Sequence, residues 1–219
     1  MTDGFVDGDG EGSEAPLRKG RTQAERREEA ERRMLEAAVR LLAEKGFAGL
    51  TLNEVGEAAG YSRGLPTHYF GRKDELLAAT ARYMVDEFTE AVKRAQSEGR
   101  TEGLKAVLQG IDFYVKSLID QPMFMRALFI AFAEATNYPE LFPAIVRLSR
   151  TSIERFAHQI RLGQEKREIC ADLDPDTQAM LIICELRGVV AQWIVDPETV
   201  NIEHIREACR QSWERNLRA

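Results

Sequence analysis

The residues best placed to do chemistry lie close to position 65. Arg63, Gly64, Thr67 and His68 share one side of a helix at helical spacing, opposite Tyr61, Pro66 and Phe70. That side offers a cation, two hydrogen-bonding groups and a glycine that admits close backbone approach. Recognition by charge and hydrogen bonds fits this set better than bond breaking, and the N-terminal residues of such a helix suit base edges in a major groove. A catalytic constellation is not indicated. His68, His158 and His204 stand far apart, and none has ligand-type neighbours at metal spacing. There is no G-x-S-x-G elbow and no phosphate-binding glycine loop. The expectation is a protein that is not an enzyme and needs no metal or other cofactor.

Two short helices must position these residues. Thr51 is expected to cap the first, with Glu54 reaching back as a capping box and Leu50 and Val55 as a hydrophobic staple. Leu52, Val55, Ala58 and Ala59 give that helix an apolar face, and Gly60 ends it. Ser62 is expected to cap a second helix from Arg63 to Phe70, with Pro66 in its first turn. Two helices joined so tightly at a glycine form a helix-turn-helix. A longer helix from Thr22 to Glu44 is expected to support them, with Leu35, Ala38, Val39 and Leu42 as its apolar stripe. Its charged first half should project into solvent. Gly46 should stop it and let Phe47 fold back.

The stretches Gly60-Tyr61-Ser62-Arg63-Gly64, His68-Tyr69-Phe70 and Lys73-Asp74-Glu75-Leu76-Leu77, preceded by Gly46-Phe47 and Leu50-Thr51, resemble the DNA-binding signature of the tetracycline-repressor (TetR) family. The likeness covers roughly residues 22 to 77. It implies an all-α protein, with an N-terminal three-helix helix-turn-helix DNA-binding domain and a C-terminal helical ligand-binding and dimerisation domain. Two residues depart from the pattern: Leu65 stands where the family has Thr, and Thr67 where a Tyr reaches a phosphate. The candidate DNA-binding set is Thr51, Asn53, Ser62, Arg63, Gly64, Leu65, Thr67, His68, Tyr69 and Lys73. Lys73 sits at a helix start, where free N–H groups already favour a phosphate.

The net charge of −6 runs against DNA binding until it is divided along the chain. Residues 1–16 carry five acids and no Lys or Arg, whereas residues 17–75 hold 12 Lys and Arg against 10 Asp and Glu. The locally positive stretch is the one that would meet phosphate. Residues 1–21 are expected to form a disordered acidic tail and a short basic arm (Arg18, Lys19, Arg21), 22–72 the DNA-binding domain, and 73–219 the effector-binding and dimerisation domain.

No period-2 alternation occurs, so no sheet is expected. No apolar run is expected to reach the length of a membrane span, and the start of the chain does not read as a secretory signal. Three widely spaced cysteines fit a reduced, cytoplasmic protein. Thr101 is expected to cap a helix to Asp120. Met123–Ala135 is apolar all round and should be buried or line a cavity. The candidate pocket for a small, mainly apolar effector is Tyr114, Met125, Phe129, Phe132, Phe142, Met180 and Cys184, since Met-rich walls adapt to apolar ligands. Glu134, Glu185 and Arg187 stand inside apolar helices, where each could mark a buried polar site facing a ligand; a salt bridge between two of them, or a solvent-facing position, is the expectation. The last two helices resemble the family's pairing elements, with Val190, Trp193, Ile205, Cys209 and Trp213 as the candidate homodimer interface. The partners implied are a roughly palindromic double-stranded DNA operator, a second copy of the chain and a small effector, with no membrane. A repressor is the expectation, and the alternative is a helical ligand-binding or scaffold protein that does not read DNA sequence.

Overall fold

The structure is a computed structural model that describes residues 22–99 and 101–219. The acidic tail and basic arm expected before Thr22 lie outside those residues. Among the described residues the chain is built from helices alone, apart from an isolated antiparallel bridge between Ile169 and Arg218.

Helix α1 (Gln23–Gly49) opens on a full capping box: the Thr22 N–H donates to Glu25 Oε2 at 2.7 Å, and the Glu25 N–H donates to Thr22 Oγ1 at 3.2 Å. Its first two turns are exposed, and beyond them Glu29 bridges Arg32 and Arg33. Met34, Leu35, Ala38, Val39 and Leu42 then turn into the core. Gly46, at φ +68°, breaks the helical geometry within the span, and Phe47 packs back inward against Tyr138 at 5.1 Å between ring centroids. Helix α2 (Leu52–Ala58) packs on α1, and α3 (Leu65–Phe70) packs on α2. Leu50 and Val55 are both fully buried in that core, as the staple requires. Ala58, by contrast, faces solvent, and Gly56 takes its place on the buried face.

The body comprises α4 (Lys73–Gly99), α5 (Leu104–Asp120), α6 (Pro122–Glu134), α7 (Phe142–Glu165), α8 (Pro175–Val195) and α9 (Ile202–Leu217). Thr101 does not cap α5. The cap position is Gly103, at φ +66°, and the first amides of the helix are satisfied from α7 and the turn after it: Gly103 N–H donates to Gln159 Oε1 and Leu104 N–H to Glu168 Oε2, each at 3.1 Å. Asp174 and Asn201 cap α8 and α9 through Thr177 and His204. One apolar core runs without interruption from α1–α3 through α4 and α6 to the start of α7, and a second joins α5, α7, α8 and α9. Two hydrogen bonds fasten the head to the body at the carbonyl end of α1: Arg126 Nε donates to Ala43 O at 2.9 Å, and Lys73 Nζ to Ala48 O at 3.2 Å.

The expectation that no apolar run reaches spanning length needs correction, because α8 is long and apolar enough by length and composition alone. Its apolar residues nonetheless divide between a buried face (Ala179, Ile182, Ile183, Leu186, Val190) and an outer one, and Glu185 and Arg187 interrupt it.

Candidate functional site

The turn between α2 and α3 is held by backbone geometry. Gly60 adopts φ +78°, its N–H donates to Glu57 O at 3.0 Å, and the Tyr61 N–H donates to Gly56 O at 2.8 Å. Together these form a Schellman stop. Gly56 allows the second helix to approach: a Cβ there would sit 2.6 Å from Ser62 O and 3.2 Å from Arg63 Cα. At the start of α2, Thr51 accepts the Glu54 N–H at 3.2 Å. Glu54 in turn accepts from the Thr51 hydroxyl at 2.9 Å and from Lys45 Nζ at 2.7 Å. Those contacts, led by Lys45, hold its carboxyl below the ordinary glutamate range.

Ser62 is not the cap of α3. The helix begins two residues later than expected, with Gly64 at the cap position and no side-chain cap, while the Ser62 carbonyl accepts the Leu65 N–H at 3.1 Å. The Ser62 hydroxyl is thereby left on the surface. Thr51, Asn53, Ser62, Arg63, Gly64, Thr67 and His68 are all exposed. Pro66 and Phe70 are buried beneath them, and Tyr61 is half-buried. Leu65 and Tyr69 of the candidate set are half-buried against the core, with the Arg27 guanidinium 5.6 Å from the Tyr69 ring centre. Lys73 is half-buried and spends its ammonium on Ala48. Sequence reasoning missed Glu57, which pairs with Arg63. Its place one turn before Gly60, facing the next helix, was the available signal.

In the body, α4, α5, α7 and α8 border a narrow, partly open cavity of about 30 Å³. Phe88, Val92 and Gln96 come from α4; Ala106, Gly110, Phe113 and Tyr114 from α5; Ser152, Arg155, Phe156 and Gln159 from α7; Ile183 from α8. Gly110 makes the room, since a Cβ there would lie 3.0 Å from the Phe156 ring. Of the seven residues expected to line a pocket, Tyr114 does. Met125 lines an adjoining cleft that shares Phe88 and Phe113 with the cavity. Phe129 and Phe132 are half-buried in the larger core, and Phe142, Met180 and Cys184 face outward. The reason is rotational: on helices apolar on several sides, residue type does not say which side meets the void. Burial pushes the Tyr114 phenol up to about 12, so it remains a neutral donor.

Glu134, Glu185 and Arg187 do not pair with one another. Glu134 accepts from Asn137 Nδ2 at 2.9 Å, and Glu185 from Trp213 Nε1 at 2.9 Å. The Arg187 guanidinium lies 4.0 Å over the Phe132 ring centre and donates to Ser149 Oγ at 3.1 Å. Among the described residues, no group of three His, Cys, Asp or Glu side chains converges as a metal site.

The expected pairing residues also need correction. Val190, Cys209 and Trp213 are buried within the protomer, at 1%, 7% and 6% exposure: Val190 turns from α8 into the first core, and the heptad-like face of α9 turns onto α5. Trp193 and Ile205 are half-buried. The outward apolar stripe of α8 is instead Leu181, Cys184, Gly188 and Val195, the last 81% exposed.

Residues 34–80 match the family model of bacterial regulatory proteins of the tetR family, and residues 107–218 that of the BetI-type transcriptional repressor, C-terminal. The HTH-type transcriptional regulator CymR of Pseudomonas putida is 46% identical over 72 residues, 33% of this chain and 36% of that protein. The HTH-type transcriptional regulator BetI of Brucella anthropi is 37% identical over 71 residues, 32% and 36%. The chain thus spans about a third of the length of these curated relatives. A transcriptional regulator from Saccharomonospora viridis, crystallised with choline, shares the fold at TM-score 0.77 and 20% identity, over 88% of this chain and 99% of that one. A TetR regulator from Chloroflexus aurantiacus does so at TM-score 0.77 and 19% identity, over 87% and 97%. The chain belongs to the TetR family of bacterial regulatory proteins, with a C-terminal body that matches the BetI-type repressors.

Proposed function

We propose that this chain is a ligand-responsive, DNA-binding transcriptional repressor that acts as a homodimer in the cytoplasm and has no catalytic role. The observation that carries this reading is the course of α4. The helix starts with Lys73 beside the exposed face of α2 and α3 and runs unbroken to Phe88, Val92 and Gln96 in the cavity wall. The fifteen steps from Lys73 to Phe88 span about 22 Å at 1.5 Å rise each. A ligand that presses on Phe88 therefore moves a rigid rod whose other end is bonded to the head.

In this reading Ser62, Arg63, Thr67 and His68 meet base edges, while Thr51, Asn53, Gly64 and Lys73 lie against the phosphate backbone. Leu65 and Tyr69 set the angle of the helix from below. The departure at Leu65 consequently costs no outward polar group, which weakens the scaffold alternative. The α8 stripe Leu181–Val195 packs against its twofold mate, with Gly188 permitting close approach, because a Cβ there meets no atom of its own protomer within 4 Å. The cavity takes a small, mainly apolar effector. DNA affinity falls by the effector's differential affinity for the two body shapes. The choline found in the Saccharomonospora viridis protein suits an aromatic box, and Phe88, Phe113, Tyr114 and Phe156 supply rings here, but Arg155 stands among them.

Hydroxyl-radical footprinting on the DNA flanking the gene tests the reading. Two protected half-sites related by a dyad, centred about one or a few helical turns apart, are expected. A single half-site, or uniform weak protection on every duplex, refutes it.

A further inference from the structure

The cavity has an uneven chemistry. Its walls are mostly apolar, and the single ionisable group carrying charge at neutral pH is the Arg155 guanidinium, with no Asp or Glu in the lining. Among the described residues no carboxylate comes within ion-pair distance of Arg155. Arg187, the cation beside Tyr114, likewise has a hydroxyl and a ring for neighbours rather than an acid. Partial burial lowers the affinity of both guanidinium groups for their protons. A half-buried guanidinium with no acid beside it keeps its donors available to an anion that enters the cleft.

The donors around Arg155 are arranged to the same end. Ser152, Arg155, Phe156 and Gln159 follow the i, i+3, i+4, i+7 spacing and so share one face of α7. The Gln159 carbonyl oxygen is occupied by the Gly103 N–H at 3.1 Å, which leaves its amide NH₂ as the group free to bond. Tyr114 keeps its proton. A guanidinium, an amide NH₂, a hydroxyl and a phenol thus border a box of rings.

We infer that the effector is an apolar carboxylate, aliphatic or aromatic, whose carboxylate forms a forked pair with Arg155 while its body lies among Phe88, Phe113 and Phe156. A guanidinium matches a carboxylate in plane and in spacing, so the acid supplies the counter-ion that the protomer lacks. A quaternary ammonium would enter the same box against a like charge. The inference rests on the ligand-responsive reading above and narrows it to one charge class.

Isothermal titration of the full chain with octanoate and 4-phenylbutyrate, their neutral amides, and octyltrimethylammonium tests it. Both acids should bind at least tenfold more tightly than the matching amides, with octyltrimethylammonium weakest. In Arg155→Met the acid-over-amide preference should vanish. Equal binding of acids and amides, binding of neither acid, tightest binding by the ammonium, or a preference that survives in Arg155→Met overturns the inference. The wild-type comparison decides even if the variant does not fold. A separate titration of duplex DNA tells the two readings apart. Acids that bind with the stated preference and leave duplex affinity unchanged would uphold the ligand class and remove the regulatory coupling. Duplex binding with no acid bound would do the reverse.

Discussion

Replacing Gly56 by Ala should force apart the two helices of the head. The new Cβ would lie 2.6 Å from Ser62 O, 3.1 Å from Pro66 Cδ and 3.2 Å from Arg63 Cα. Ordinary carbon–oxygen approach is about 3.3 Å or more, so the Ser62 backbone has to retreat by roughly 0.7 Å. No flexible side-chain end is available to yield instead. Relief of a helical glycine is worth about 1 kcal/mol. Overpacking against backbone costs about 1–3 kcal/mol, and weakening the Tyr61 N–H to Gly56 O bond adds about 0.5–1.5 kcal/mol. The net is a loss of about 1–3 kcal/mol, or a fall in melting temperature of roughly 2–12 °C for a chain of this size. Because Ser62 and Arg63 move with the strain, duplex affinity should fall about tenfold as well, which corresponds to about 1.4 kcal/mol. Thermal unfolding followed by circular dichroism, with fluorescence anisotropy on labelled duplex, reads both. Gly64→Ala is the stability control, because no atom lies within 4 Å of its Cβ, and it should melt like the parent protein. A Gly56→Ala protein that melts at the parent temperature and binds DNA equally well would show that the head tolerates a Cβ at this contact.

Other outcomes follow from single contacts. Glu57→Gln should raise duplex affinity severalfold, since it releases Arg63 from an exposed pair worth about 0–1 kcal/mol and removes a negative charge facing phosphate; unchanged or weaker binding by anisotropy contradicts this. Arg63→Ala should cost about 1–3 kcal/mol of discrimination between operator and scrambled duplex, and an equal loss on both would make Arg63 a phosphate contact. Alkylation should reach Cys184 and spare Cys209, whose thiol is pushed up to about 12 by burial and then by Glu185. If α8 pairs as proposed, Cys184 labelling should slow as protein concentration rises, and a rate independent of concentration removes that interface. The Glu54 carboxyl is held low by Lys45 and Thr51, so its contribution is complete above the ordinary glutamate value of about pH 4.3 and lost as pH falls through the lowered folded value. The difference in melting temperature between the parent and Glu54→Gln should therefore be constant above roughly pH 5 and shrink below it; a difference that grows on acidification is the contrary result.

The head was legible because its determinants are local. Thr51, Gly60 and Pro66 each specify a backbone conformation at one point, and each adopts it. The misplaced starts at Ser62 and Thr101 share a cause. Both hydroxyls stand near a helix, but a glycine nearer to it, Gly64 or Gly103, takes the cap position, and remote groups satisfy the amides of α5. The body was legible as helices but not as faces. Leu181 and Ile182 are adjacent and equally apolar, yet one is exposed and the other fully buried. On α8 the period carries no preferred side, and so the packing denies Met180, Cys184 and Val190 the sites that their residue types suggest. Arg155 was passed over because a charged residue on an amphipathic helix reads as solvent-facing. Its significance depends on Phe88 and Tyr114, which lie more than forty positions away in the chain.

The central claim is that the exposed face of α2 and α3 reads duplex DNA. Equilibrium anisotropy of the full chain on the duplex flanking its gene, against a scrambled duplex, with salt raised stepwise from 50 to about 200 mM, tests it most directly. Affinity should fall steeply with salt on both duplexes, with the flanking duplex favoured about a thousandfold or more at every step. Equal affinity for the two duplexes, or binding indifferent to salt, would contradict it.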